Sequence, residues 1–435
     1  DKQMAISWTA PAVGANPAIS DHFVEYTSDR GGTWNQFLHN QSTGTSFTVT
    51  GLTNGVPYTF RISPINSDGH GPTAEYEGTP VSSHTPAHKA TYSACPTGAA
   101  PAAGFTDITL AAVDCIKYYD ITKGTTTTTY SPGDSVTRLQ MALFLTRMAG
   151  PAGITLGSGT DQGFTDITGE TDEFQTAINQ IKQLGITTGK TATTYDPHSF
   201  VTREEMALFL TRLLKEATVG PGGHSEYVSG ASGPKEIKSN DSDHNFLDLT
   251  GMVLWESTTS IINIWNLGIT EVATAQSYEP LRKITRKEMA IMMTNALGQT
   301  NARPAGLSIQ DDLIRSTQTQ RMISVTHRTA DFQPVVGTIV DTFRFTHSVV
   351  ATTIRFTTTG ACSSTDPTAV GSVECKVDSA DPITDSNGNL AIFAESLPTY
   401  SLVDFWAWTA ATGTTYDNDL HAASAATVTL ETIAG

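Results

Sequence analysis

Three stretches open alike: TRLQMALFLTRM from Thr137, TREEMALFLTRL from Thr202 and TRKEMAIMMTNA from Thr285. Each follows an F-x-D triplet, an apolar run and a Tyr-x-Pro turn. An internal repeat of this length sets the architecture before any other signal. Within each copy a threonine precedes an apolar run, and Gln140, Glu205 or Glu288 stands three residues on. That spacing is a capping box: the hydroxyl takes an orphan amide at the helix start, and the long side chain returns to the cap's own N–H. Met141, Ala142, Phe144 and Leu145 then recur at helical spacing, which predicts capped helices with one face in a core.

Capping does not explain Arg138, Arg203 and Arg286, each at the first helical position. The helix dipole is positive there, so a cation costs ~0.3–1 kcal/mol. Three arginines in register ask for one cause. An Arg fork beside the free N–H groups of a helix start makes an anion site. The alternative is an intramolecular ion pair with the F-x-D aspartates.

These motifs resemble S-layer homology repeats, in which F-x-D, a first helix ending near G-I, a glycine loop and F-x-P precede T-R-x-E and a second helix. The resemblance covers residues 105–300 as three repeats, 105–150, 164–216 and 246–298. It implies a helical pseudo-threefold domain whose grooves bind an anionic secondary cell-wall polysaccharide. Carried over residue by residue, it implies glycan or anion contacts at Arg138, Arg203 and Arg286, at Asp107, Asp166 and Asp248, and at the loop glycines Gly124 and Gly189, with Trp255 and Trp265 as groove aromatics. This chain departs from the pattern in three places. Gln140 replaces the usual acid, Tyr118-Tyr119-Asp120-Ile121 replaces Leu-Gly-Ile, and the third repeat reads GITEVATAQ where a second glycine is expected.

The third copy is displaced by an insertion over 217–244, rich in Gly, Pro and Ser, which predicts a surface loop. Asp241, Asp243 and His244 within it fit either a metal site or a solvated loop.

Residues 1–82 alternate in period two with frequent turn residues, which argues a β-sandwich. Gly51 to Ile62 resembles the corner of a fibronectin type III domain, with Tyr58 as the corner tyrosine bonding back to upstream backbone. Trp8 fits the same family. The chain opens at what would be that family's second strand; either the chain begins mid-domain, its first strand trimmed or unnumbered, or the first strand is supplied from elsewhere, and an unpaired edge there would be a template for strand addition. Residues 83–104 read as a linker.

Residues 308–435 return to strand texture, with candidates at 313–325, 337–346, 349–358, 389–394, 400–409 and 426–432. Ile383 to Phe393 resembles the turn-and-strand signature of bacterial Ig-like domains, which implies a second sandwich. Asp385, Asn387 and Asn389 alternate in the manner of a short calcium loop, and Asp417 and Asp419 offer more oxygens. An Asn-Gly turn accounts for the first cluster without a metal.

Lys plus Arg number 26 and Asp plus Glu 43, a net charge of −17, which disfavours nucleic acid and anionic membrane as partners. No apolar run reaches the ~20 residues of a membrane span. The four cysteines fall into local pairs, Cys95 with Cys115 and Cys362 with Cys375, a pattern that predicts two disulfides in an extracellular chain. No nucleophile elbow, H-E-x-x-H or phosphate loop is present, so no cofactor or catalytic residue is assigned. The expectation is a non-enzymatic structural protein of a bacterial cell surface or wall. Two other readings stand beside it: a subunit assembling head to tail with copies of itself into a filament or sheath, with 425–432 as a strand donor, and the non-catalytic region of a secreted glycanase.

Overall fold

The computed structural model describes residues 2–9, 17–80, 84–228, 233–249, 255–270, 276–312, 321–348, 377, 379, 381–394, 401–416 and 421–432. Cys362, Cys375, Asp417, Asp419 and the candidate strand 349–358 lie outside them. The chain divides into two compact units. One is 1–85 with 243–251 and 274–279, and the other is 86–242, 252–273 and 280–435.

In the first unit, β1 (Gln3–Ser7) pairs antiparallel with β4 (Ser46–Thr50). β2 (Asp21–Thr27) and β5 (Tyr58–Asn66) are the centre of a second sheet, flanked by β3 (Asn35–Gln36), β6 (Gly69–His70) and β7 (Ala74–Gly78). Alternate residues of both sheets, Ile6, Val24, Val49, Phe60 and Ile62, meet in one core, as period-two patterning requires. The Tyr58 hydroxyl accepts from the Thr53 amide at 3.1 Å, which pins the corner before β5.

Among the described residues the second unit carries six α-helices, two from each repeat: α1 (Ala111–Tyr118) and α2 (Arg138–Ala149), α3 (Asp172–Gln183) and α4 (Arg203–Glu216), α5 (Trp255–Asn266) and α6 (Arg286–Gln299). A short hairpin, β8 (Glu226–Tyr227) with β9 (Lys235–Glu236), lies in the insertion. All three capping boxes form, from Thr137, Thr202 and Thr285. α2 packs on α3, α4 on α5 and α6 on α1, so the helices close into a ring. At its centre the backbone closes too. Val136 N–H donates to Ile284 O at 3.2 Å, Ile284 N–H to Val201 O at 2.9 Å, and Val201 N–H to Val136 O at 2.9 Å.

The expected linker is not a free tether. From Pro86 onward it packs into the helical unit: His88 N–H donates to Asn266 O at 2.9 Å, Ala94 is buried, and Cys95 is disulfide-bonded to Cys115 with Cα atoms 5.7 Å apart.

β10 (Gly306–Asp312), β11 (Arg321–Arg328) and β13 (Asn389–Ala394) make one antiparallel sheet, and β12 (Asp341–Ser348), β14 (Ser401–Trp408) and β15 (Ala426–Thr432) another. Ile309, Ile323, Val325, Val340, Phe405 and Leu430 fill the space between them. β15 is paired along β14, Ala426 opposite Ala407 and Leu430 opposite Val403. The segment expected to donate a strand therefore already sits in its own sheet, so donation would first have to remove it. Two buried arginines stand where this sandwich joins the helices. Arg328 donates to Asn301 and Gly388, and Arg303 to the carbonyls of Thr300 and Pro221. Burial pulls both down to about 10.

Candidate functional site

The register arginines lie inside the ring. Arg138, Arg203 and Arg286 are 3%, 6% and 2% exposed. Arg138 Nε donates to Tyr195 O at 2.8 Å, its guanidinium stacks 4.6 Å from the Tyr195 ring, and Nη1 reaches Glu205 Oε1 at 3.2 Å. The Tyr195 hydroxyl returns a bond to Arg138 O at 2.8 Å. Arg203 Nη1 reaches Glu288 Oε1 at 3.2 Å. Arg286 repeats the tyrosine contacts with Tyr130, at 2.6 Å to its carbonyl and 4.6 Å to its ring. Each arginine thus binds the next repeat, the last returning to the first.

The helix starts are not open either. The amides of Arg138 and Leu139 donate to Ser199 O and Pro197 O, those of Arg203 and Glu204 to Arg282 O and Pro280 O, and those of Arg286 and Lys287 to Asp134 O and Pro132 O. The third amide goes to the threonine cap in every copy. An anion site built from a fork and free amides needs amides that are free, and these are committed between repeats. Arg138 and Arg203 form ion pairs with the capping glutamate of the next repeat, Glu205 and Glu288; at the third seam that position is Gln140, and Asp107 and Asp134 act on Arg286 only through their charge.

Those aspartates hold the tyrosine turns. Asp107 accepts from the amides of Tyr130 (2.8 Å) and Ser131 (2.7 Å), Asp166 from Tyr195 (2.9 Å) and Asp196 (2.7 Å), and Asp248 from Tyr278 (2.9 Å) and Glu279 (2.7 Å). Ser131, Asp196 and Glu279 all have positive φ, between 55° and 60°. Two successive amides around such a residue form a concavity that a carboxylate fills. The Tyr130 amide is the main cause that holds the Asp107 carboxyl below the usual range. For Asp248 burial acts upward, but the Tyr278 and Glu279 amides outweigh it.

Gly189 sits at φ +83°, where a Cβ would lie 2.5 Å from the Phe164 ring, and Gly124 repeats this at +85° against Phe105. Both loops need glycine for the fold as well as for any ligand.

A groove of about 370 Å³ opens beside Gly189. Arg138, Thr187, Thr188, Lys190, Arg212 and Glu256 are among its walls. Gly189 therefore shares a site with Arg138, from the preceding repeat. Lys190 Nζ lies 2.5 Å from Glu205 Oε1, and Arg212 Nη2 lies 2.9 Å from Glu256 Oε1. Local patterning missed Lys190, Arg212 and Glu256; the repeat of Arg147 and Arg212 after the shared Thr was the available signal, since Arg147 likewise meets Glu173 at 2.9 Å. Trp255 is 82% exposed beside Glu256, whereas Trp265 is fully buried and cannot line a groove. Both fall on α5, and the groove role is corrected for Trp265: its face of the helix is the core face.

The oxygens expected around calcium serve the turn instead. Asp385 Oδ1 accepts from the amides of Asn387 (2.8 Å) and Asn389 (2.9 Å), and Asn389 Oδ1 accepts from Arg328 (2.7 Å).

With this geometry in place, residues 1–78 match the fibronectin type III domain family and residues 163–207 the S-layer homology domain family. The chain therefore carries a fibronectin type III domain and, in its second repeat, an S-layer homology domain, a module of cell-surface association. No helix among the described residues is long and apolar enough to cross a membrane. An endoglucanase of Bacillus sp. (strain KSM-635) is 27% identical over 178 residues, which is 41% of this chain and 16% of that protein's length. Among solved structures, the twitchin kinase region from C. elegans is 28% identical over 19% of this chain and 14% of that one, with a TM-score of 0.16. A structure titled "Myokine structure" is 15% identical over 18% of this chain and 83% of that one, also with a TM-score of 0.16.

Proposed function

We propose that this chain is a non-enzymatic extracellular structural protein of a bacterial surface, held to an anionic wall polysaccharide by its ring of three S-layer homology repeats. On this reading a fibronectin-type and an Ig-like sandwich flank the ring as spacers. The observation that carries the reading is the groove beside Gly189, within the matched stretch. Thr187, Thr188 and Thr202 supply hydroxyls for a sugar, and exposed Trp255 offers a stacking face nearby. Lys190, with 45% of its side chain exposed, is the cation best placed to exchange Glu205 for an anionic substituent of the glycan. Glu205 and Glu256 are both tied to cations, which suits binding rather than proton transfer.

Sedimentation with purified sacculi tests this. The intact chain is expected to pellet with whole sacculi and not with sacculi stripped of secondary polysaccharide by acid. Lys190→Glu should lower retention about tenfold (roughly 1.4 kcal/mol) in a chain that stays folded, its melting temperature lowered by the new like charge beside Glu205. Equal retention on stripped walls, or by Lys190→Glu, overturns the site.

One observation favours a second reading. The partial likeness to an endoglucanase fits the non-catalytic, wall-associated region of a secreted glycanase. Hydrolysis of a soluble cellulose derivative by the purified chain would overturn the non-enzymatic part of both readings.

A further inference from the structure

Away from the groove, two histidines distant in sequence lie face to face. The His88 and His224 rings are 3.5 Å apart and only 10° from parallel. His88 Nε2 is 2.7 Å from Asp241 Oδ2, and His224 Nε2 is 2.9 Å from Glu226 Oε1. One donor atom each from His88, His224 and Glu226 falls within a sphere of 4.8 Å mutual separation, and all three residues are half-buried.

The backbone around them is fixed before any ligand arrives. Gln299, fully buried at the end of α6, accepts from the His224 amide at 2.8 Å and donates to His88 O at 2.7 Å. A Cβ on Gly223 would lie 2.2 Å from Gln299 O, so only glycine lets the insertion come this close. Asp241 is placed by the same wall, through Asn266 Nδ2 donating to its carbonyl at 3.1 Å.

We propose that His88, His224, Glu226 and Asp241 form a structural site for a first-row divalent transition metal, zinc in the first instance. Two imidazoles and two carboxylates are the donors such an ion takes, and imidazole disfavours calcium and magnesium. Four-coordinate bonds of about 2.0–2.2 Å hold donors roughly 3.3 Å apart, so the His88, His224 and Glu226 donors need to draw together, the two stacked rings to turn until their in-plane lone pairs converge, and Asp241, which contacts His88 but lies outside that group, to swing in as the fourth ligand. With four protein donors the site is closed, which makes it a staple rather than a catalytic centre. It fastens the segment before α1 to the insertion between α4 and α5.

The test uses the full chain, stripped with chelator and titrated with zinc alone by calorimetry, then with cobalt by absorbance. The expected result is one ion per chain with a dissociation constant below about 1 μM, tetrahedral cobalt bands between 500 and 650 nm, and slower proteolysis of the insertion when zinc is present. His88→Ala or His224→Ala should weaken binding at least about a hundredfold. Glu226→Gln and Asp241→Asn remove a donor with little change of volume and should weaken it about tenfold or more. His198→Ala, elsewhere on the surface, should change nothing. Absence of saturable binding by the folded chain overturns the site, as does binding that survives both Glu226→Gln and His224→Ala.

Discussion

Two seams of the helical ring differ at the capping position, Glu205 in one and Gln140 in the other. Between the first and second repeats, Arg138 meets the Tyr195 carbonyl, the Tyr195 ring and the Glu205 carboxylate. Between the third and first, Arg286 meets the Tyr130 carbonyl and ring, but the capping position holds Gln140, and Arg286 Nη2 is buried without a hydrogen bond. Both guanidinium groups occupy the same place nonetheless. The tyrosine carbonyl and ring fix that place, and the acid only adjusts the energy of having a charge there. Burial is the main cause that draws Arg286 below its ordinary pKa, and it outweighs the opposing pull of the Tyr130, Asp134 and Asp107 charges.

The largest expected effect comes from breaking the complete seam. Arg138→Ala removes a buried cation and leaves Glu205 only the half-exposed Lys190 as a cation partner, so it should cost about 3 kcal/mol of stability. Arg286→Ala strands no carboxylate and should cost about 1–2 kcal/mol less. Urea midpoints of the two variants decide this, and equal losses would mean that the acid does not distinguish the seams. Gln140→Glu tests the same difference in reverse. It keeps the capping box, supplies the missing carboxylate, and should stabilise the ring by about 1 kcal/mol.

The smallest effect is one of pH. Burial pushes the Glu288 carboxyl up, but bonds from Arg282 and Thr285 and the charge of Arg203 outweigh it and hold it at about 2, against 4.5 when free. A carboxyl with a lowered folded-state pKa stabilises the fold above the unfolded value, and that contribution is lost as pH falls from 4.5 toward 2. Melting temperatures of the intact chain and Glu288→Gln should therefore differ most at about pH 6, and the gap should narrow as pH falls through about 4 toward about 2. A gap that stays constant across that window would assign the effect to packing.

Much of this was legible because it is local. The three threonine caps, the corner at Tyr58 and the fully buried Met141, Ala142 and Leu145 on their helix face each depend on residues within a few positions of one another. The partners of the register arginines were not legible for the opposite reason. Glu205 reads completely as the cap partner of Thr202, and nothing local says that it also faces Arg138, 67 residues away. Trp265 was misplaced because an apolar aromatic on a helix suits a core or a groove equally until its face is known. For the insertion the sequence left Asp241, Asp243 and His244 open between a metal site and a solvated loop, and because His88 belongs to a stretch that resembles a linker, its stacking on His224 had no trace in sequence spacing.

The ring of backbone bonds through Val136, Val201 and Ile284 sets an order of assembly. The first repeat cannot complete its own seam when it is made, because α1 waits for α6 and Tyr130 for Arg286. A growing chain carries unclosed edges until about residue 300 has emerged, and contacts of such long sequence separation are slow to form. Truncation between the second and third repeats should therefore not yield two-thirds of a domain. It should yield an open arc with two raw faces, each a match for the other on a neighbouring molecule, and hence a chain prone to link end to end.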